Sequence, residues 1–115
     1  MSHEEAVRIA NYAGNDLYYV LTVDKKIMGY GILRGWDEGY EIPTLGIAIH
    51  HKARGKRLGE TFMHFLHSAA RLKGATKIRL KVYPENLSAF NLYKKLGYSF
   101  QEEEADGQLV GFLTL

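Results

Sequence analysis

Apolar positions along this chain change period several times, and each change marks an element. Glu4 to Asn11 fits a short helix, with Ala6, Val7, Ile9 and Ala10 on one side and Ser2 as a cap. Gly14-Asn15-Asp16 breaks it. Leu17 to Val23 is rich in Tyr and Val and predicts a strand; Asp24-Lys25-Lys26 predicts a turn and Ile27 to Leu33 the partner strand of a hairpin. A two-glycine loop from Arg34 to Tyr40 follows. Glu41 to His50 is a third strand, apolar on both faces at its centre, as an interior strand requires.

The period then lengthens. Gly55 to Lys73 predicts a helix with Leu58, Phe62, Phe65, Leu66 and Ala69 on one stripe. Glu60, His64, His67 and Arg71 fall on the other, and Gly74 stops it. Lys77 to Tyr83 alternates, with Ile78, Leu80 and Val82 on one face, and Pro84 ends it. Leu87 to Leu96 is a short helix capped by Asn86 and stopped by Gly97. Tyr98 to Glu104 and Leu109 to Leu115 close as a hairpin around Ala105-Asp106-Gly107. The unit from Glu41 to Tyr83 reads as a right-handed parallel crossover, so the fold class is α/β (α+β), a central mixed sheet flanked by helices. One domain over residues 1–115 is expected.

Composition narrows the chemistry. At 46% hydrophobic residues the chain can build a core. The net charge of +2 is too small for a polycation, so phosphate binding must rest on a local patch, and Lys52, Arg54, Lys56 and Arg57 supply one. The chain has no cysteine, which excludes disulfides and thiolate catalysis and fits a cytoplasmic location. No apolar run approaches a membrane span, and Met-Ser-His-Glu-Glu lacks the features of a signal peptide.

Arg54-Gly55-Lys56-Arg57-Leu58-Gly59 lies between the apolar run Leu45–Ile49 and a helix start. The first turn of a helix offers free N–H groups and a positive dipole end, so this spacing predicts an anion site. The alternative is a solvated basic turn. A nucleotide P-loop does not fit, because Arg57 stands where Ser or Thr is needed.

With the second cluster, Asn86 to Tyr93, the chain resembles the GCN5-related N-acetyltransferase (GNAT) family from Tyr18 onward. The family's pyrophosphate loop reads Gln/Arg-x-x-Gly-x-Gly/Ala; Arg54 and Gly59 fit its outer positions and Arg57 replaces the middle Gly. Its second motif is matched by Asn86, Ala89, Leu92, Tyr93, Lys95, Gly97 and Tyr98. The region before the Leu17 hairpin is shorter than the family's, which leaves the acceptor site less walled and an apolar face that a homodimer would cover.

The resemblance implies acetyl-CoA as co-substrate, held between Leu45–Ile49 and Lys77–Tyr83, with no metal. It implies direct acetyl transfer to a primary amine of a small molecule or peptide in a ternary complex. Ile47 and Ile49 would bond the pantetheine arm, and the Ala48–Ile49 region would offer an N–H to the developing oxyanion. Gly55, Lys56, Leu58, Gly59 and Glu60 would present N–H groups to the pyrophosphate, with Lys56 or Arg57 pairing further phosphates and Asn86 and Ala89 at the cofactor.

Tyr93 is the candidate general acid: a phenol with an ordinary pKa of about 10 stays protonated at neutral pH. The alternative is a core tyrosine. For the general base, Pro43 stands where many family members have Glu, which leaves Glu41 two residues upstream and His50 at the strand end. Asp37, Glu38 and Glu41 would together attract a cationic amine, or are loop charges. His64 and His67 have metal-compatible spacing, but they fall on the polar stripe and no carboxylate has convincing spacing to join them. Two other functions fit less well: a CoA-binding module with little catalysis, and a nucleic-acid-binding domain, against which the near-neutral charge speaks.

Overall fold

The structure is a computed structural model and describes residues 14–53 and 57–115. The helix expected over Glu4 to Asn11 lies outside the described residues. The described elements are β1 (Leu17–Val23), β2 (Lys26–Arg34), β3 (Thr44–Ile49), α1 (Leu58–Leu72), β4 (Lys77–Val82), α2 (Leu87–Lys95), β5 (Ser99–Glu103) and β6 (Leu109–Thr114). They form a six-stranded sheet in the order β1-β2-β3-β4-β6-β5. The β3–β4 pair is parallel and the others are antiparallel, which gives the mixed sheet its two halves.

The β1–β2 turn is tighter than the three residues expected. Asp24 and Lys25 both take positive φ (51° and 68°), the backbone of a two-residue hairpin loop, so Lys26 already pairs with Val23. β3 begins at Thr44 rather than Glu41. Pro43 has no N–H to give a ladder, and Glu41 and Ile42 sit in bends before it.

The core lies between the sheet and the two helices: Leu33, Met63, Leu66, Ile78, Leu80 and Val110 are fully buried. Gly31 lets α1 come close, since a Cβ there would sit 2.8 Å from a Leu66 methyl and 2.9 Å from the Phe62 ring. The buried stripe of α1 is rotated from the one expected. Phe65 is 48% exposed and meets Tyr19 edge-on at 4.8 Å, whereas His67 is 4% exposed. The rotation is tolerated because His67 Nε2 hydrogen-bonds the Tyr98 hydroxyl at 2.7 Å, which satisfies two polar groups inside the core. Among the described residues no helix is long and apolar enough to cross a membrane.

Candidate active site

The ladder between β3 and β4 has one registered pair, Thr44 with Arg79, supported by Arg79 N–H donating to Pro43 O at 3.0 Å. On its other side β3 pairs with β2 along its whole length, from Arg34–Thr44 to Gly29–Ile49. His50 N–H donates to Met28 O at 2.6 Å. Hydrogen-bonded and non-bonded pairs alternate in an antiparallel ladder, so Ala48 and Gly46 also direct their backbone groups to β2. Those of Ile47 therefore point towards β4. A strand edge of this kind accepts an extended, amide-bearing ligand as an added strand.

The edge leads to the start of α1. Of the basic loop, Arg54, Gly55 and Lys56 lie outside the described residues. Arg57 caps α1 with φ 59° and ψ 17°, a left-handed conformation in which glycine is at ease and arginine is strained. This accounts for a glycine preference at the position. Leu58, Gly59 and Glu60 form the first turn, where N–H groups have no partner within the helix. A Cβ at Gly59 would lie 3.8 Å from Leu92 Cδ2 and 4.0 Å from Ile49 Cγ1. The end of β3, the start of α1 and α2 thus converge at this glycine. Glu60 puts a carboxylate beside this anion-seeking turn, but Lys95 from α2 binds it at 3.1 Å and holds its pKa below the ordinary carboxylate range.

Asn86 caps α2 as expected, its Oδ1 accepting from Ala89 N–H at 3.5 Å. One turn further on, Tyr93 is buried, its ring 5.8 Å from that of Tyr98. Its hydroxyl has no hydrogen-bond partner among the described residues, and none of their sealed polar side-chain atoms is unpartnered, so this hydroxyl reaches the surface. Burial of the ring raises its pKa, which keeps the phenol protonated at neutral pH.

The two base candidates lie at opposite ends of β3. His50 stacks on His51 at 4.4 Å, and its Nδ1 accepts from Lys52 N–H at 3.1 Å. Glu41 and Glu38 line a cavity of about 860 Å³ at the other end, where the β3–β4 ladder is joined. Asp37 faces elsewhere, accepting from Asn15 N–H at 2.8 Å. Arg34, Thr44 and Arg79, which the sequence reading did not single out, also line this cavity. They sit in register across three strands, and Arg79 Nη1 donates to Thr44 Oγ1 at 3.1 Å. Arginines at outward positions of the two strands that flank β3 were the available signal, but reading it required the strand order.

No curated protein matches the sequence. Among solved structures, the ribosomal-protein-S18-alanine N-acetyltransferase from Escherichia coli is 22% identical, with a TM-score of 0.76, over 96% of this chain and 76% of that one. PaiA N-acetyltransferase from Thermoplasma acidophilum, solved in complex with coenzyme A, is 18% identical with a TM-score of 0.78, over 87% of this chain and 61% of that one. A GCN5-related N-acetyltransferase from Kribbella flavida is 19% identical with a TM-score of 0.79, over 100% of this chain and 78% of that one. At these identities the likeness establishes the fold. The model of the acetyltransferase (GNAT) family matches residues 2–98, most of the sequence, and the chain belongs to that family.

Proposed function

We propose that this protein transfers the acetyl group of acetyl-CoA directly to a primary amine in a ternary complex, with the whole chain acting as one domain. The observation that carries the reading is the unladdered edge of β3, which runs from the first turn of α1 to the cavity holding Glu41. A structure of the same fold, that of PaiA N-acetyltransferase from Thermoplasma acidophilum, was solved in complex with coenzyme A. The residues here suit the same ligand: N–H groups of Leu58, Gly59 and Glu60 for phosphate oxygens, the Arg57 charge beside them, and Ile47 backbone groups for an amide arm.

Acetyl-CoA supplies an activated thioester. The chain's own residues do the rest. Glu41, exposed at the cavity wall, takes the proton that the amine loses as its C–N bond forms, directly or through a water. As the C–S bond breaks, Tyr93 gives its phenolic proton to the departing thiolate, whose pKa is about 8.5 on the cysteine scale, and regains one from solvent. Direct attack by the amine needs no acyl-enzyme, consistent with a chain that has no cysteine.

Titration of acetyl-CoA by calorimetry into wild type and Gly59→Glu tests this. The site accepts a Cβ at ordinary contact distances, so the variant is expected to fold. Its carboxylate would stand where the phosphates belong, and binding should fall more than about tenfold. A wild type that binds no acetyl-CoA removes the reading. An apolar groove between β1 and α1, with Leu72 91% exposed, supports a homodimer; a monomeric mass in sedimentation at micromolar concentration would remove that part.

A further inference from the structure

The cavity beside Thr44 is lined by charges of both signs: Arg34 and Arg79 from the strands, Glu38 and Glu41 from the β2–β3 loop. Its floor is the strand register Arg34–Thr44–Arg79. Arg79 is held by Thr44 Oγ1 at 3.1 Å and lies 3.8 Å from Glu104, which Lys81 also binds at 3.0 Å. Arg34 is exposed and has no ion-pair partner among the described residues. Arg79 and Lys81 therefore share one carboxylate, and Arg34 adds a third cation with none among the described residues. The rim is the β2–β3 loop, which contributes Glu38, Tyr40 and Glu41.

That loop is a built wall. The buried Asp16 carboxylate accepts from Gly35 N–H at 3.1 Å and Asp37 N–H at 3.2 Å, and Tyr40 N–H closes back on Gly35 O at 2.9 Å. A braced cavity that carries both signs of charge selects a ligand with both charges. Neighbouring strands are about 4.8 Å apart, so Arg34 and Arg79 rise from points about 10 Å apart with Thr44 between them. Two long guanidinium side chains rooted at that span can both reach a group of carboxylate size held between them.

We infer that the acceptor is an amphoteric small molecule, a primary amine that also carries a carboxylate, with the carboxylate between Arg34 and Arg79 and the ammonium towards Glu38 and Glu41. The inference rests on the acetyl-transfer reading above and adds its substrate class.

The test begins with acetyl-CoA calorimetry on the wild type, which judges the underlying reading alone. Release of the CoA thiol is then followed with 4-aminobutanoate, butylamine and 1,4-diaminobutane, acceptors of matched length. The expected result is a kcat/KM for 4-aminobutanoate roughly tenfold or more above that for either partner, the scale of one charge-assisted contact. Arg34→Gln should lower the ratio of 4-aminobutanoate to butylamine by about the same factor, and Arg34→Lys should restore part of it. Equal rates with and without the carboxylate, or preference for the diamine, would overturn the inference while leaving acetyl transfer intact. So would an Arg34→Gln variant that weakens acetyl-CoA binding and slows all three acceptors alike. Absence of acetyl-CoA binding would overturn both.

Discussion

Acidification should destabilise this protein through His67, by an amount that the structure bounds. The imidazole lies inside the core against Tyr98, with His64 edge-on at 6.3 Å and Arg71 on the same helix. Burial first, and then the charges of His64 and Arg71, lower its pKa from 6.5 to about 4. Above pH 6.5 it is neutral in folded and unfolded chains alike and contributes no pH dependence. Between 6.5 and about 4 the unfolded chain binds a proton that the folded chain refuses, so stability falls as the pH falls. The whole interval corresponds to about 3 kcal/mol, of which about 2 kcal/mol is lost between pH 7.5 and pH 5. Urea unfolding followed by Trp36 fluorescence across that range measures the loss. His67→Gln keeps an amide within reach of the Tyr98 hydroxyl but does not titrate there. Its stability should decline less than that of wild type by about 2 kcal/mol, the remaining histidines and carboxylates being common to both proteins. Parallel decline of the two would refute the assignment.

Three further substitutions probe the site and its supports. Tyr93→Phe removes only a hydroxyl without a partner among the described residues; kcat should fall roughly 10²- to 10⁴-fold with the thermal melt unchanged, and a loss under about threefold would exclude Tyr93 as the acid. Arg57→Gly relieves a left-handed arginine at φ 59°; after the entropy glycine adds to the unfolded chain, a gain of about 0.5–1 kcal/mol in urea unfolding is expected, and a loss would show that the Arg57 side chain stabilises the turn. Gly31→Ala forces a methyl to within 3 Å of Phe62 and Leu66, so a loss of about 1–3 kcal/mol is expected, and a neutral result would mean that α1 shifts freely on the sheet.

What could be read from the sequence was what is local. β1 spans Leu17–Val23 because the Tyr- and Val-rich run declares itself, and α2 starts at Leu87 because Asn86 has the chemistry of a cap. Errors arose where a neighbour across space decided the outcome. Glu41 looked like the start of a strand until the ladder was seen to begin after Pro43. His67 looked polar-faced because its partner, Tyr98, is 31 residues away. The cavity was the least legible part. Arg34, Thr44 and Arg79 are separated widely in the sequence, and only the order of strands makes them neighbours.

The single rung between Thr44 and Arg79 divides the sheet into two three-stranded antiparallel halves, β1-β2-β3 and β4-β6-β5, each laddered within itself. Whatever amide-bearing molecule lies along β3 becomes a structural member of the sheet as well as a reactant. Folding and occupancy are then one equilibrium: at a ligand concentration a hundredfold above Kd, the sheet gains about 2.7 kcal/mol against unfolding. Protection of the Ile47 amide from hydrogen exchange would report that gain directly, and the protein's measured Tm would depend on how much of such a ligand the sample retains.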